Sequence, residues 1–392
     1  MIEKRKNEKN IYLTPFDPFA YRRPFLAKSA FPDLQIFDYL QAYKQMGVLG
    51  KILNYTYQAA RRSEGVIVKT PRFNKGGYLA SAYMYDLIHS LPLSKIKAET
   101  IIILDTLLMT ANALLKDHSV LIDWMDVWMW PWDEMNSLDT NAIEKADGVI
   151  FWSKPFMNLI TKRFRIKKFV YVPYGINLMD FNPLKFGKGN DLRKKLGLEK
   201  KFLITYSGGG GLFGGLDLQG ISKTLKAFQM ISSSLKNAVL VLQTPQLNVQ
   251  AKKIIKDLGI ENKTLIIDFL PFKSLERLNL FAATDLFLAP TSRHPFAYYA
   301  ERMKFFQFMA AAKPILTEKA PGALSVFGEG AYYVDIDDTE AMASAILRLA
   351  NDRNLAENLG VQSRKRLEDN FEWSKLMPTY KDFVLSITEE RT

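Results

Sequence analysis

The chain has 392 residues, enough for two domains that each bury a core, and an ordinary globular composition of 48% hydrophobic and 24% charged residues. It holds no cysteine and only His89, His118 and His294, so disulfides, thiolate metal sites and a cysteine nucleophile are excluded, and a histidine-rich metal site is disfavoured. The formal charge of +12 favours anionic partners such as phosphorylated small molecules or acidic lipid. The polar start MIEKRKNEKN does not read as a secretory signal, so none is expected, and no apolar run approaches the roughly 20 residues that span a bilayer. The expectation is a cytoplasmic protein, with possible contact at an acidic membrane surface.

In chain order, Ile11–Leu13 reads as a strand. The next segment reads as irregular, because it carries Pro15, Pro18 and Pro24 around Arg22 and Arg23. Residues 34–53 read as a helix, 65–70 as a strand and 78–90 as a helix. Thr100–Leu104 and Ser119–Asp123 read as strands on either side of a helix over 107–115. Helices over 141–146 and 155–164 alternate with strands at Gly148–Trp152 and Phe169–Val172. Strands alternating with helices predict an α/β domain with a mostly parallel sheet. The stretch from Pro173 to Gly197, rich in glycine, proline and lysine, reads as an inter-domain connection.

The second half repeats the rhythm. Strands are expected at 202–206, 238–242, 264–267, 286–289 and 315–317, and helices at 221–231, 249–258, 275–282 and 339–350. Asp338 or Thr339 is the expected N-cap of the last of these. Pro321–Gly322 reads as a turn. After the strand ending at Ala289 comes TSRHPFAYYAERMKFFQFMAAAKP. Here Met303, Phe306 and Ala310 recur at helical spacing towards a core, while Ala300, Lys304, Gln307 and Ala311 share another face. A cation and an amide one turn apart, beyond a strand's C-terminal end, stand where open α/β sheets bind ligands and where helix starts favour anions. The alternative is an amphipathic helix with a solvated polar face.

Three other stretches have chemical content. SGGGGLFGG, with six glycines after a strand, lets backbone N–H groups approach a phosphate. It matches neither a P-loop nor a clean dinucleotide fingerprint. WMDVWMWPW offers a wall for a sugar ring or a lipid-interface anchor, and Asp123 and Asp126 stand at a strand end where they would meet substrate hydroxyls or cap a turn. The basic clusters are scattered, no nucleic-acid module is present, and nucleic acid is not expected as a partner.

Several blocks in one order carry a resemblance to a known family. They are VYVPYGINLMDFNP, RKKLGL, FLPFKSLERLNLFAATDLFLAPTS, MKFFQFMAAAKPIL and NFEWSKL, which together run from Val170 to about Val384. This ordered set resembles the group 1 (family 4) retaining glycosyltransferases. The resemblance implies a GT-B fold, two Rossmann-like domains with parallel sheets facing across a cleft. It implies an acceptor-binding domain over 1–175, a nucleotide-sugar domain over 176–370 and a helix over 371–392 that crosses back to the first. The implied activity is metal-independent hexosyl transfer from a UDP- or GDP-sugar to a glycan or lipid-linked acceptor, in cell-surface polysaccharide or glycoconjugate synthesis, without a cofactor.

Carried over residue by residue, donor contacts fall to Gly208, Gly209, Gly210 and Gly211, Arg293, Lys304, Gln307, and the backbone at Leu270 and Phe272. Lys304, Glu301 and Asp126 are the catalytic candidates. Asp123, Asp126 and Trp128 would meet the acceptor. Gln307 stands where the family usually has a glutamate, Tyr299 where it has an earlier one, and Gln219 where it has a diphosphate-binding lysine. The family's arginine is missing near Gly209, and Lys223 is a further cation at hand. The competing reading is a GT-B subunit that binds without turnover.

Overall fold

The computed structural model describes residues 11–14, 23–38, 48, 101–105, 115, 118–124, 137–209, 217–244, 247, 249–268 and 270–389. The expected elements over 65–70 and 78–90, Asp126, Trp128, Gly210 and Gly211 lie outside them, as do most of the expected helices over 34–53 and 107–115. The chain divides into two compact units: Met1–Pro173 with Leu376–Thr392, and Tyr174–Lys375.

In the first unit six strands are described: β1 (Ile11–Thr14), β2 (Gln35–Asp38), β3 (Ile101–Asp105), β4 (Ser119–Trp124), β5 (Gly148–Phe151) and β6 (Phe169–Tyr171). They pair in parallel in the order β2-β1-β3-β4-β5-β6. All of β4 and β5 is buried, as expected of parallel strands covered on both faces. The helix Trp373–Glu389 adds Tyr380, Val384 and Ile387 to the buried set. A Cβ at Gly148 would lie 2.8 Å from Leu121 and 2.9 Å from the Phe383 ring, so only glycine admits that ring.

Two expectations fail here. Gln35–Asp38 is a strand rather than the start of a helix, because its backbone pairs with β1, Ile11 opposite Gln35 through Thr14 opposite Asp38. The segment read as irregular ends in a helix, Arg23–Ala30. Pro24 is its second residue, where the N–H that proline lacks has no helical partner in any case.

The second unit holds β7 (Phe202–Ser207), β8 (Ala238–Gln243), β9 (Thr264–Ile267), β10 (Leu286–Ala289), β11 (Ile315–Glu318) and β12 (Tyr332–Val334). The order is β12-β11-β10-β7-β8-β9, all parallel. Alternation along each strand divides the core between the faces. Leu203, Val241, Phe287 and Ala289 join one cluster with Phe281, Phe305, Phe308 and Phe327. Ile204, Tyr206, Leu240, Leu242 and Leu288 join the other with Phe228, Ile255 and Ile346. The unit's ends are tied by Trp373 Nε1 donating to Tyr174 O at 3.1 Å and by a parallel bridge between Ile176 and Glu372.

Helix starts follow local chemistry. Ser274 accepts from Arg277 N at 3.2 Å, Asp338 from Ala341 N at 2.8 Å and Asp352 from Leu355 N at 3.0 Å. Pro321–Gly322, read as a turn, opens the helix Pro321–Phe327. A Cβ at Gly322 would come within 2.3 Å of Ala300 O, which explains the glycine.

The helix Met303–Ala310 does not have the solvated face of the alternative reading. Lys304 through Ala310 are all buried, whereas Met303, expected in the core, is half-buried. Its rings lock it on three sides: Phe308 stacks on Phe287 at 4.4 Å, Phe305 meets Phe327 at 4.7 Å, and Phe306 meets Phe371 edge-on at 5.2 Å. Arg364 donates to Ala310 O at 2.7 Å and closes the C-terminal end. Phe308→Ala empties the centre of this packing and is expected to cost about 3–5 kcal/mol in urea unfolding.

Candidate functional site

The second sheet reverses strand order between β7 and β10, since β7 continues to β8 on one side while β10 continues to β11 on the other. In a parallel sheet such a switch point opens a crevice at the strands' C-terminal ends. Gly208 and Gly209 follow β7, and Pro290 to Arg293 follow β10. The helix Met303–Ala310 then begins at Arg302, which offers its first turn no side-chain cap.

Lys304 enters this point. Its Nζ is 3.3 Å from Gln219 Oε1 and 5.0 Å from the centre of the Tyr206 ring. A Cβ at Gly208 would lie 2.7 Å from that Nζ and 2.6 Å from Gln219 Oε1. Gln219 Oε1 also accepts from Gly209 N at 3.0 Å, and the Tyr206 hydroxyl donates to Gly209 O at 2.8 Å. The structure therefore brings together Gly208, Gly209 and Lys304, with Gln219 between them. Burial, reinforced by the Arg302 charge, pushes the Lys304 ammonium well below the usual lysine range.

Arg302 is committed to structure. It donates to Pro290 O and to Thr291 Oγ1, each at 3.1 Å, and burial lowers its pKa to about 10. Arg293 and Lys223 are also engaged. Lys223 pairs with Glu318 at 2.6 Å and with Asp337 at 3.0 Å. Arg293 is largely exposed and pairs with Asp337 at 3.1 Å. Glu318 is fully buried at the end of β11 and also accepts from Thr291 N at 2.7 Å and Asp337 N at 2.8 Å. Burial works against ionisation of Asp337, but hydrogen bonds from Lys223 and Arg293 outweigh it and hold the carboxyl below the usual range. Asp217 caps the helix Ile221–Ile231, accepting from Ile221 N at 2.8 Å and Ser222 N at 2.7 Å, so that helix start is already met by a carboxylate.

Gln307 is 3% exposed and lies on the same helix as Lys304, but its oxygen faces a different neighbour. Oε1 accepts from Arg277 at 2.7 Å, and Arg277 also donates to Leu270 O at 2.9 Å. Phe272 packs on Phe181 with ring centres 4.8 Å apart. Glu301 is fully buried between Ala300 and Arg302. In the first unit, Asp123 is fully buried at the end of β4, in register with Asp105 and Ile150. Among the described residues no group of three or more His, Asp or Glu side chains could hold a metal ion, and no helix is long and apolar enough to cross a membrane.

Sequence reasoning missed Arg277, Arg302 and Glu318. For Arg277 a signal exists: it shares a helix face with Phe281, four residues on, so a cation stands on an inward apolar stripe. For Glu318 none exists, since one acid at a strand end resembles any other.

With this geometry in place, comparison with known proteins gives the class first. The solved structure of Anabaena Alr3699/HepE in complex with UDP and glucose superposes with a TM-score of 0.67 at 15% identity, over 97% of this chain and 100% of that one. The fold is GT-B, built on two Rossmann-like units. Residues 191–366 match the family described as "Glycosyl transferases group 1". The capsular polysaccharide biosynthesis glycosyltransferase CapM of Staphylococcus aureus is 29% identical over 113 residues, 27% of this chain and 28% of that protein. The N-acetyl-alpha-D-glucosaminyl L-malate synthase of Bacillus anthracis is 21% identical over 260 residues, 65% of this chain and 64% of that protein. The match thus spans less than two thirds of either relative's length.

Two outcomes follow from the electrostatics. A lysine whose pKa is lower in the folded state binds fewer protons there than when unfolded. Stability therefore rises with pH from the depressed value up to about 10.4, and the full cost of the buried charge is present below that window. Lys304→Met removes the cost, so the ligand-free variant should be more stable at neutral pH by about 1 kcal/mol, and its thermal midpoint should lose that rise with pH. Glu318→Ala takes from Lys223 its buried partner, leaving it only Asp337, strands two backbone N–H groups, and should cost about 3–5 kcal/mol by urea unfolding.

Proposed function

We propose that the protein is a retaining glycosyltransferase that moves a hexose from a nucleotide-sugar donor, of the UDP or GDP type, to a glycan or lipid-linked acceptor. The observation that carries this is the buried Lys304 ammonium beside Gly208 at the switch point, a cation whose only described polar partner is the neutral amide of Gln219. A buried cation without a carboxylate is costly in the free protein and becomes favourable once an anion arrives. A sugar diphosphate supplies that anion.

In this reading Lys304, the amides of Gly208 to Gly211 and the uncapped helix start hold the diphosphate. Their charge and dipoles stabilise the negative charge that grows as the bond from the anomeric carbon to the diphosphate breaks. The acceptor oxygen bonds to that carbon on the same face, and its proton passes to the departing phosphate oxygen. Gln307 and the Leu270 backbone face the nucleoside, Glu301 and Asp126 the sugar, and Asp123 and Trp128 the acceptor. No metal is needed for charge that a lysine and a helix start already meet. Structural likeness to a protein solved with UDP and glucose, and the family match over residues 191–366, support the donor class. The capsular relative, together with a net charge of +12, supports a surface-glycan acceptor met at the cytoplasmic face of a membrane.

One observation favours a second reading, a nucleotide-sugar-binding subunit without turnover. Lys223 and Arg293 are both held by carboxylates, and Gln219 stands where the family has a lysine, so the charge facing a diphosphate is small. A single experiment separates the two. UDP, GDP, UDP-glucose and GDP-mannose are screened for thermal stabilisation, and nucleoside diphosphate release is followed. The enzyme reading expects stabilisation and slow release, reduced about 100-fold in Lys304→Ala. Stabilisation without release supports the binding subunit. If none of the four stabilises the wild-type chain, both readings are wrong.

A further inference from the structure

Arg277 is a second buried cation, and the proposed chemistry does not use it. It is 9% exposed, on the helix Leu275–Ala283. Its guanidinium spans two neutral oxygens, Leu270 O at 2.9 Å and Gln307 Oε1 at 2.7 Å, and lies 5.3 Å from the Phe281 ring centre. Its Nε is buried without an acceptor among the described residues. Burial alone lowers its pKa to about 10, and no carboxylate among those residues offsets it.

An arginine in this position does more than fill space. Its planar fork holds two acceptors in fixed directions. Leu270 follows β9 and Gln307 sits in the helix beyond β10, so one guanidinium joins two elements separated by β7 and β8 in the sheet. It also decides which end of an amide is available. A carboxamide has one oxygen and one NH2 group, and with the oxygen taken only N–H bonds remain to be offered.

We infer that Arg277 is a positioning residue that sets the hydrogen-bond polarity of the nucleoside site: by holding Oε1 of Gln307 it makes Gln307 a donor to ligand oxygens, and so makes the protein indifferent to the ribose hydroxyl protons. This rests on the reading of the site as a nucleotide-sugar site. A glutamate at position 307 would accept those protons, and selectivity for an intact diol would follow. Gln307 instead donates to the ribose oxygens and leaves their protons to water.

The test uses the full chain and UDP as probe, with 2′-O-methyl-UDP and 3′-O-methyl-UDP, which lose the hydroxyl proton but keep the oxygen to which Gln307 donates. Affinities are measured by calorimetry, and the ratio of UDP to methylated-analogue affinity is the readout. The wild type is expected to prefer UDP by less than about threefold. In Gln307→Glu the preference should exceed about tenfold, since a carboxylate accepts the proton; tenfold is about 1.4 kcal/mol. Arg277→Met frees the amide to turn, and the preference should rise in the same direction. Arg277→Lys keeps a cation against Oε1 and should keep the wild-type ratio. A merely structural arginine would change melting temperature and absolute affinity but not this ratio. Should Arg277→Met fail to fold, Gln307→Glu and the wild type still decide the matter. A wild-type preference above tenfold, or an unchanged ratio in Gln307→Glu, overturns the inference. If UDP binds and Lys304→Ala abolishes binding while the ratios behave in this overturning way, only the role of Arg277 falls. If UDP does not bind the wild-type chain at all, the donor-site reading falls and takes this inference with it.

Discussion

The C-terminal edge of the second unit's parallel sheet is organised by the buried carboxylate of Glu318. It stands at the end of β11 and accepts from the Lys223 ammonium and from the N–H groups of Thr291 and Asp337. Thr291 belongs to the loop after β10 and Asp337 to the loop after β12, so one side chain fixes the loops on either side of its own strand. Asp337 has a φ of 71°, a left-handed conformation that a non-glycine residue holds only under constraint. Its N–H to Glu318 and its carboxylate bonds to Lys223 and Arg293 supply that constraint. Without Glu318, the loop leading to the helix Met303–Ala310 would lose its anchor.

The cations at this edge divide by partner. Lys223 and Arg293 meet carboxylates, and Arg302 meets carbonyl and hydroxyl oxygens of the loop it helps to fold. These three hold structure. Lys304 and Arg277 meet only neutral groups, and burial lowers the pKa of both. A protein that pairs Lys223 and Arg293 with carboxylates nearby, yet leaves Arg302, Lys304 and Arg277 in neutral company, bears a standing desolvation cost. The aromatic packing of the helix fixes the backbone that carries Lys304, since Phe305, Phe306 and Phe308 are held by three separate partners.

Sequence reading went furthest where one signal sufficed. The strands of the second unit are short apolar runs bounded by turn residues, and such runs read the same way buried or not. β9 and β10 coincide with their expected spans, and so does the helix Ile221–Ile231. Reading failed where a partner decides. Gln35–Asp38 is strand because β1 lies beside it, and nothing local in QIFD says so. Proline misled twice, at Pro24 and Pro321, because a breaker within a helix is a good residue in its first turn. The pairing of Lys304 and Gln307 on one face was legible from spacing. That they are buried, and that each is committed to a different neighbour, was not, because Gln219 and Arg277 lie 85 and 30 residues away in sequence.

Those two partnerships share a pattern. In each, a glutamine oxygen is taken by one of the protein's own cations, Gln219 by Lys304 and Gln307 by Arg277. Gln219 Oε1 takes the Gly209 N–H as well. By the family resemblance the two amides replace a lysine and a glutamate, an exchange that removes one charge of each sign. What changes is direction. A lysine and a glutamate offer a ligand one donor and one acceptor of full charge. Two glutamines with occupied oxygens offer N–H groups only, backed by two cations that have no carboxylate to neutralise them. These two amides therefore present donors to whatever binds, and their complement is a ligand group rich in oxygen acceptors and poor in positive charge, as the diphosphate of the proposed donor is.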